Sequence, residues 1–497
     1  MRRDCLWLFV ILLFGLIPRL YTLAHTTAAS RDCVNFIQLA LNLDQPRNGR
    51  DESIARSQVL RNAEHPPGYP VALLGMAYLV RGTPELGAED WMRIGQYVSI
   101  AAGCLLCVPI YFLGRSAFRR STGMIAAALA IALPTLAEIT ADALSDGLFL
   151  LFNISALALL QCGISKGSWK ACVLAGVMSG IAYLVRPEGV LTIAAGGANI
   201  VLLTVRLPKE KKRWLGCGMA LAMGYLVVAG PYVATIGKFT NKPSGGRLLG
   251  ESQEDLAPHV AANADKAKPS RIVQAAKLVV GEPLRAANWA IGILGMAGAL
   301  LLRKNRAAML LVIYAGLAFL MLGYLGYSAG YVARRHALTI AIIACVFAAE
   351  LLQQWAENAC KNERRSLAIA VALLLALSWP FNFKPLHPNR VAHRQAGLWA
   401  GENIPANAVF VDPFTWAEFY AGRSYRSFPN RDRERKFDDE FVYVLIEPNN
   451  PEPGSVLTDL KFAQEYATKG ELVYQWPPDL SGKNAVAIYK APYRDKP

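Results

Sequence analysis

Residues 2–23 read RRDCLWLFVILLFGLIPRLYTL, in which an almost unbroken apolar run, Leu6 to Leu23, follows two arginines. A helix of about twenty such residues is long enough to cross the ~30 Å hydrocarbon layer of a bilayer. Similar runs recur along the 497 residues, of which 54% are hydrophobic, and the mean hydropathy is +0.26. Apolar blocks of this length are not typical of soluble proteins, so the sequence predicts a multi-pass membrane protein.

Ten further runs have the length that a membrane span requires. Together with the first run they predict about eleven transmembrane helices. The further runs lie at about 92–114, 121–137, 143–163, 169–185, 188–206, 214–236, 286–302, 307–328, 335–354 and 366–381.

The basic residues between these runs predict how the helices are oriented. The net charge is +15, but the lysines and arginines stand in short clusters between apolar runs, a pattern that orients helices and does not favour nucleic-acid binding. All clusters fall on one side if the first helix is not cleaved and the N-terminus is cytoplasmic. The clusters are Arg115, Arg119 and Arg120; Lys166 and Lys170; Arg206, Lys209, Lys211, Lys212 and Arg213; Arg303, Lys304 and Arg306; and Lys361, Arg364 and Arg365.

Two long loops are expected on the opposite, extracytoplasmic side. The first covers 24–91 and contains an apolar segment that is too short to cross, so we expect a re-entrant or surface helix over 68–80. The second covers 237–285, where the Lys-, Pro- and Gly-rich segment Lys238 to Arg271 favours a mobile loop that a ligand orders.

A membrane domain over 1–381 is expected to precede a small soluble domain over 382–497. In the latter, short runs rich in β-branched and aromatic residues alternate with helical patterns. Strands are predicted at 408–411, 441–446, 471–474 and 485–489, and helices at 415–421 and 460–468. The predicted fold class is thus an α-helical polytopic membrane protein with a small C-terminal extracytoplasmic α/β domain.

Asp32 stands near the start of the first loop, ahead of a helical pattern over Val34 to Leu43. One interpretation is an ordinary solvated carboxylate or a helix cap. The other is a general base, because an ionisable group in a long loop close to the membrane surface is well placed to take a proton from an attacking hydroxyl or amine.

The motif Glu64-His65-Pro66-Pro67-Gly68 opens the short helix of this loop. Prolines suit a first helical turn because their φ is fixed and no N–H is needed there. The motif either only starts the helix, or it directs His65 and the unpaired N–H groups of the helix towards a phosphate. Glu64 is a candidate secondary acid beside it.

Three arginines stand in short outer turns, where the orientation rule disfavours basic residues. Arg186 belongs to the turn Arg186-Pro187-Glu188, and Arg334 and Arg335 begin a later span. Each could extend to lipid headgroups. Their joint occurrence favours a second interpretation, a site for a lipid-linked phosphate, which arginine can bind through two N–H groups.

Glu138, Asp142 and Asp146 are spaced by four residues, which predicts one shared helical face. Asp142 and Asp146, like Glu188, are candidates for acceptor binding or a secondary acidic role, and Asp142 alternatively caps the next helix. Divalent metals prefer a tighter cluster of oxygens, so metal binding is not favoured and no other cofactor is expected.

At these residues the chain resembles the C-type membrane glycosyltransferases that use polyprenyl-phosphate sugars, in particular the branch related to protein O-mannosyltransferases and aminoarabinose transferases. The resemblance covers roughly residues 1–350. It implies that Asp32 is the catalytic base and that His65, Arg186 and either Arg334 or Arg335 lie near the donor phosphate. The matching pieces are Asp32, the motif 65–70, the turn 182–189 and the motif 334–336.

The resemblance implies an inverting transferase in the plasma (inner) membrane. It would move a sugar from a polyprenyl-phosphate donor to a protein, lipid or polysaccharide on the extracytoplasmic face, with membrane lipid as its surroundings. One rival is a multi-pass lipid or solute transporter or flippase, but transporters tend to place ionisable groups at the bilayer midplane on broken helices. Another is an assembly protein whose C-terminal tail binds a partner.

Overall fold

The computed structural model is mostly helical and carries one small sheet near the C-terminus. It describes residues 2–44, 56–84, 86–241, 268–303, 305–405, 408–423, 441–450 and 460–492.

Among the described residues, eight helical segments are long and apolar enough to cross a membrane. Two bent pairs raise this number to ten if each is one span, and the apolar helix Trp169–Val185 is shorter than the others. The predicted figure of about eleven therefore stays a prediction. The eight segments are Arg3–Ala24, Ala88–Ala117, Asp146–Lys166, Pro187–Arg206, Pro208–Ile236, Arg306–Ser328, Arg334–Ala359 and Glu363–Asn382.

The bent pairs differ from the straight spans predicted at 121–137 and 286–302. The first pair, Arg120–Ile131 and Pro134–Ala141, bends by 63° just before a proline, which cannot continue a helix with regular hydrogen bonds. The second pair bends by 109° between Ile272–Ala286 and Trp289–Leu302. The helix Lys268–Ala286 thus occupies part of the predicted loop 237–285, and residues 242–267 of that loop lie outside the described residues.

The first loop contains three helices, which we number in chain order after α1 (Arg2–Ala24). They are α2 (Arg31–Asp44), α3 (Arg56–Asn62) and α4 (Gly68–Arg81). The helix expected over 68–80 corresponds to α4. Its first residue lies against the end of the helix Trp169–Val185, because a Cβ on Gly68 would approach the carbonyl oxygen of Leu184 to 2.6 Å.

Gly68→Ala is expected to destabilise the protein, because the new methyl group meets backbone atoms that cannot move aside. Overpacking of this kind costs about 1–3 kcal/mol. Gly75→Ala on the same helix is the matched control, since a Cβ there has no neighbour within 4 Å. A thermal unfolding midpoint for Gly68→Ala equal to that of Gly75→Ala would show that the close approach is not needed.

The remaining helices of the membrane part continue this numbering. They are α5 (Ala88–Leu105), α6 (Cys107–Ala117), α7 (Arg120–Ile131), α8 (Pro134–Ala141), α9 (Asp146–Lys166), α10 (Trp169–Val185), α11 (Val190–Arg206), α12 (Lys211–Ile236), α13 (Lys268–Ala286), α14 (Trp289–Leu302), α15 (Met309–Ala329), α16 (Leu338–Ala359) and α17 (Glu363–Ser378).

The C-terminal part forms a four-stranded sheet with helices packed against it. The strand order is β1-β2-β4-β3, with β1 parallel to β2 and the other pairs antiparallel. The sheet agrees with the predicted α/β character, whereas the boundary at 382 stays a prediction. The elements are α18 (Val391–Asn403), β1 (Val409–Val411), α19 (Trp416–Tyr420), β2 (Phe441–Ile446), α20 (Leu460–Ala467), β3 (Glu471–Trp476) and β4 (Val486–Pro492).

Candidate active site

Asp32 lies in the first turn of α2 and forms an ion pair with a residue 303 positions away. Ser30, not Asp32, caps the helix, because the Ser30 Oγ accepts from the Cys33 N–H. The Asp32 Oδ2 accepts a hydrogen bond from Arg335 at 2.7 Å. Burial raises the pKa of Asp32, but the charge and hydrogen bond of Arg335, with the charges of His65 and Arg186, outweigh burial and lower it. Asp32 is therefore an ionised carboxylate at neutral pH.

Arg186 lies at the end of α10, where the backbone leaves the helix with φ −150°. Its side chain is buried and donates to the Asp146 Oδ1 at 2.8 Å and to the Glu188 Oε1 at 3.2 Å. The guanidinium carbon is 5.8 Å from the ring centre of Phe149. Burying a guanidinium is costly unless carboxylates compensate it, and here two do so.

Arg334 and Arg335 occupy the turn Arg334–Ala337 that opens α16, and their side chains diverge. Arg335 binds Asp32, whereas the Arg334 Nε is 3.7 Å from the Glu282 Oε2 and its side chain is 54% exposed. The sequence left open which of the two serves the site. The geometry favours Arg335.

A cavity that is partly open to solvent lies at the end of α10 and the start of α16. Arg186 and Arg335 both line it, together with Asp146 and Glu188. Its other lining residues are Phe149, Leu191, Tyr314, Ala318, Met321, His336 and Thr339. Two cations, several acceptors and an apolar wall are the features of a site for a ligand with an anionic group and a hydrocarbon part.

A buried polar network that includes the cavity residue Tyr314 was not predicted. Tyr314, a cavity residue, accepts a hydrogen bond from the Asn153 Nδ2 at 2.8 Å, and the Thr192 hydroxyl donates to the Asn153 Oδ1 at 2.8 Å. Asn153 and Thr192 are fully buried. The signal in the sequence is the presence of polar residues inside predicted spans, which usually mark functional interiors.

The three carboxylates predicted on one helical face are separated instead, and this prediction was wrong. Helix α8 ends at Ala141 and α9 begins at Asp146, so no helix carries the whole series. Glu138 faces Lys384 at 3.4 Å, Asp142 faces His387 at 2.9 Å, and Asp146 faces Arg186 at 2.8 Å. Only Asp146 reaches the cavity.

His65 and Glu64 lie at the start of α4 in different surroundings. The His65 ring is 4.8 Å from that of Phe36, and its charge contributes to the lowered pKa of Asp32. It is close to the base but does not line the cavity. Glu64 is exposed and does not line the cavity either. Within the described ranges, no three His, Cys, Asp or Glu side chains converge as a metal site.

The contact between His387 and Asp142 is expected to weaken as the pH rises. Burial lowers the pKa of His387, but the hydrogen bond and charge of Asp142, with the charge of Glu138, outweigh burial and Arg390 and raise it. The pKa of an unperturbed histidine, as in the unfolded chain, is about 6.5. Because the pKa of His387 is higher in the folded protein, the contact stabilises the fold fully below about pH 6.5, and this stabilisation is lost as the pH rises through the folded-state pKa.

When the pH is raised from 6 to 9, the thermal unfolding midpoint of the wild type should therefore decrease by more than that of His387→Gln. His25→Gln, which replaces an exposed histidine, is the control and should keep the wild-type difference. Equal differences in the wild type and His387→Gln would contradict the assignment.

Residues 65–229, about a third of the chain, match the family described as dolichyl-phosphate-mannose-protein mannosyltransferase. By sequence, none of the curated proteins matches the chain.

Solved membrane-enzyme structures share the fold over nearly the whole chain. ArnT from Cupriavidus metallidurans, bound to undecaprenyl phosphate, has a TM-score of 0.62 and 11% identity, covering 97% of this chain and 98% of ArnT. The Archaeoglobus fulgidus oligosaccharyltransferase in complex with Zn and sulfate has a TM-score of 0.60 and 15% identity, covering 96% of this chain and 72% of its own.

The archaeal oligosaccharyltransferase AglB from Archaeoglobus fulgidus, in complex with an inhibitory peptide and a dolichol-phosphate, has a TM-score of 0.58 and 15% identity, covering 99% of this chain and 75% of AglB. At these identities the structures establish a shared fold. The matches confirm the predicted resemblance and the predicted class of α-helical polytopic membrane protein, and with the family match they support a glycosyltransferase.

Proposed function

We propose that this protein is a C-type membrane glycosyltransferase, which moves one sugar from a polyprenyl-phosphate donor to an acceptor on the extracytoplasmic face, with inversion at the anomeric carbon. Arg186 and Arg335 hold the donor phosphate, and Asp32 is the general base. The observation that carries the proposal is the convergence of Arg186 and Arg335 on one cavity, with Asp32 bound to Arg335.

The two arginines suit a phosphate diester because each guanidinium presents several N–H donors in a plane. Arg335 uses one nitrogen for Asp32, so it can bind a phosphate oxygen and the base at the same time. This arrangement would place the phosphate next to the carboxylate. The Asp146 Oδ2 has no hydrogen-bond partner among the described residues and could accept from a sugar hydroxyl.

In the proposed step, the acceptor oxygen or nitrogen attacks the anomeric carbon from the face opposite the phosphate. The carbon–oxygen bond to the phosphate breaks, and its electron pair leaves with the polyprenyl phosphate. The acceptor proton passes to the Asp32 carboxylate, which the lowered pKa keeps ionised at neutral pH. A base of low pKa gains driving force late in the step, when the attacking atom has become acidic.

The ligands of two similar structures support a lipid-linked donor. ArnT is bound to undecaprenyl phosphate, and AglB is in complex with a dolichol-phosphate and an inhibitory peptide. The lipid tail of the donor would lie along the apolar wall of the cavity, next to membrane lipid. The acceptor is a protein, a lipid or a polysaccharide.

The distribution of basic residues supports one orientation in the membrane. The basic clusters would be cytoplasmic, which makes the end of the helices that bears Asp32, Arg186 and Arg335 extracytoplasmic. The N-terminus would then be cytoplasmic, and the C-terminal sheet would lie outside the plasma (inner) membrane.

A transporter is not favoured, because the candidate charged groups gather at one end of the helices and not at their middle. The test is sugar transfer by the purified protein in detergent, with radiolabelled polyprenyl-phosphate sugars and extracted membranes as the acceptor. Label in the acceptor is the expected result. Movement of intact donor across a proteoliposome bilayer, with no transfer from any donor, would favour the transporter.

A further inference from the structure

The residues that precede the helix of Asp32 are held in place by the C-terminal part of the chain. Ala28 and Ala29 have no exposed surface, and Ser30 caps α2. Asp32 follows in the first turn of that helix. Its distance from Arg335 therefore depends on where the segment 26–30 is fixed.

Both backbone groups of Ala29 bond to side chains of α19, nearly 400 residues later. The Tyr420 hydroxyl accepts from the Ala29 N–H at 2.8 Å, and the Trp416 Nε1 donates to the Ala29 carbonyl at 2.7 Å. Both side chains are buried. The Asp412 carboxylate holds α19 in turn, because it accepts from the Ala417 N–H at 2.6 Å.

A second set of contacts fixes the other end of the segment. The Thr27 N–H donates to the Leu386 carbonyl at 3.1 Å, and the Thr27 hydroxyl donates to the His387 carbonyl at 2.7 Å. The His387 ring binds Asp142 of the membrane part. The segment 26–30 is thus enclosed between α19 and residues 386–387.

We propose that Tyr420 and Trp416 are positioning residues of the transfer reaction, which hold Ala29 and thereby set where Asp32 meets Arg335 and the acceptor. The inference rests on the proposed role of Asp32 as the base. It assigns the C-terminal part of the chain, through α19, an indirect role in the reaction, although none of the residues of α19 lines the cavity.

Tyr420→Phe is the smallest test, because it removes one hydroxyl and leaves the Ala29 N–H buried without its acceptor. We expect amide hydrogen exchange over residues 27–36 to become about tenfold faster. We also expect kcat to fall about tenfold with the KM for the donor unchanged, because a base displaced by a fraction of an ångström acts less well. Trp416→Phe, which removes the N–H donor to the carbonyl, should act in the same direction.

Tyr474→Phe is the matched control, since Tyr474 lies in β3 and its ring stacks on that of Trp399 in α18. Exchange over the strands β2 and β4 reports whether the sheet stays folded. If amide exchange over residues 27–36 in both Tyr420→Phe and Trp416→Phe were as slow as in the control, the proposal that these side chains hold Ala29 would be overturned. Faster exchange with an unchanged kcat would overturn the positioning role.

These outcomes are distinct from failure of the proposed base. If Asp32→Asn kept its turnover, the general-base proposal would fall, yet faster exchange in Tyr420→Phe would still show that Tyr420 holds the segment.

Discussion

Asp32→Asn is expected to abolish sugar transfer while donor binding is kept. Asparagine has nearly the same shape, and its side-chain oxygen can still accept the hydrogen bond from Arg335, but it cannot take the acceptor proton. Removing a general base lowers the rate by about 10²- to 10⁴-fold. Single-turnover transfer from a radiolabelled donor measures the rate, and equilibrium binding of the donor measures the affinity.

Asp90→Asn is the matched control for this substitution. Asp90 lies at the start of α5 in an exposed ion pair with Arg81, and such pairs contribute about 0–1 kcal/mol. It should transfer sugar at the wild-type rate. Wild-type turnover in Asp32→Asn would eliminate Asp32 as the base.

Arg335→Gln is expected to weaken donor binding strongly, whereas Arg334→Gln is not. The two residues are neighbours with the same charge, but only Arg335 lines the cavity and binds Asp32. Losing charge-assisted hydrogen bonds to a phosphate costs about 1.5–3 kcal/mol, or roughly 10- to 100-fold in the dissociation constant of the donor. Arg334→Gln should change that constant by less than about twofold, because it loses an exposed ion pair.

Arg335→Gln also has a predicted effect on pH dependence. Arg335 opposes the effect of burial on the pKa of Asp32 more than His65 and Arg186 do, so its removal raises that pKa. The acid limb of the rate profile should therefore move to higher pH in Arg335→Gln and stay in place in Arg334→Gln. Equal donor affinities in the two variants would contradict the assignment of Arg335 to the phosphate.

Much of the fold follows from the sequence because the bilayer imposes a length on each span. The apolar runs and basic clusters locate most of the helices, and β-forming runs locate the four strands. The bend before Pro134 and the helix Lys268–Ala286 were not predicted. Seven of the nineteen residues of that helix are polar or charged, and two are prolines, so its sequence resembles that of a surface loop.

The candidate site could be predicted only in part, because its residues are far apart in the sequence. Arg186, Arg334 and Arg335 can be recognised because they stand in short outer turns, where basic residues are disfavoured. Asp32 can be recognised because it lies in a long loop close to the membrane surface. The choice of Arg335 over Arg334 depends on side-chain directions in one short turn. The contacts of Ala29 with Trp416 and Tyr420 join segments nearly 400 residues apart, and no local pattern indicates them.

The most direct test of the proposed function is to count the products of one reaction. Wild-type protein would be mixed with a doubly labelled polyprenyl-phosphate sugar and the extracted acceptor, and free polyprenyl phosphate and glycosylated acceptor would both be quantified. We predict one polyprenyl phosphate released for each sugar transferred, and formation of both products at least about 100-fold more slowly with Asp32→Asn. Sugar transfer without release of polyprenyl phosphate, or equal rates of product formation by both proteins, would contradict the mechanism.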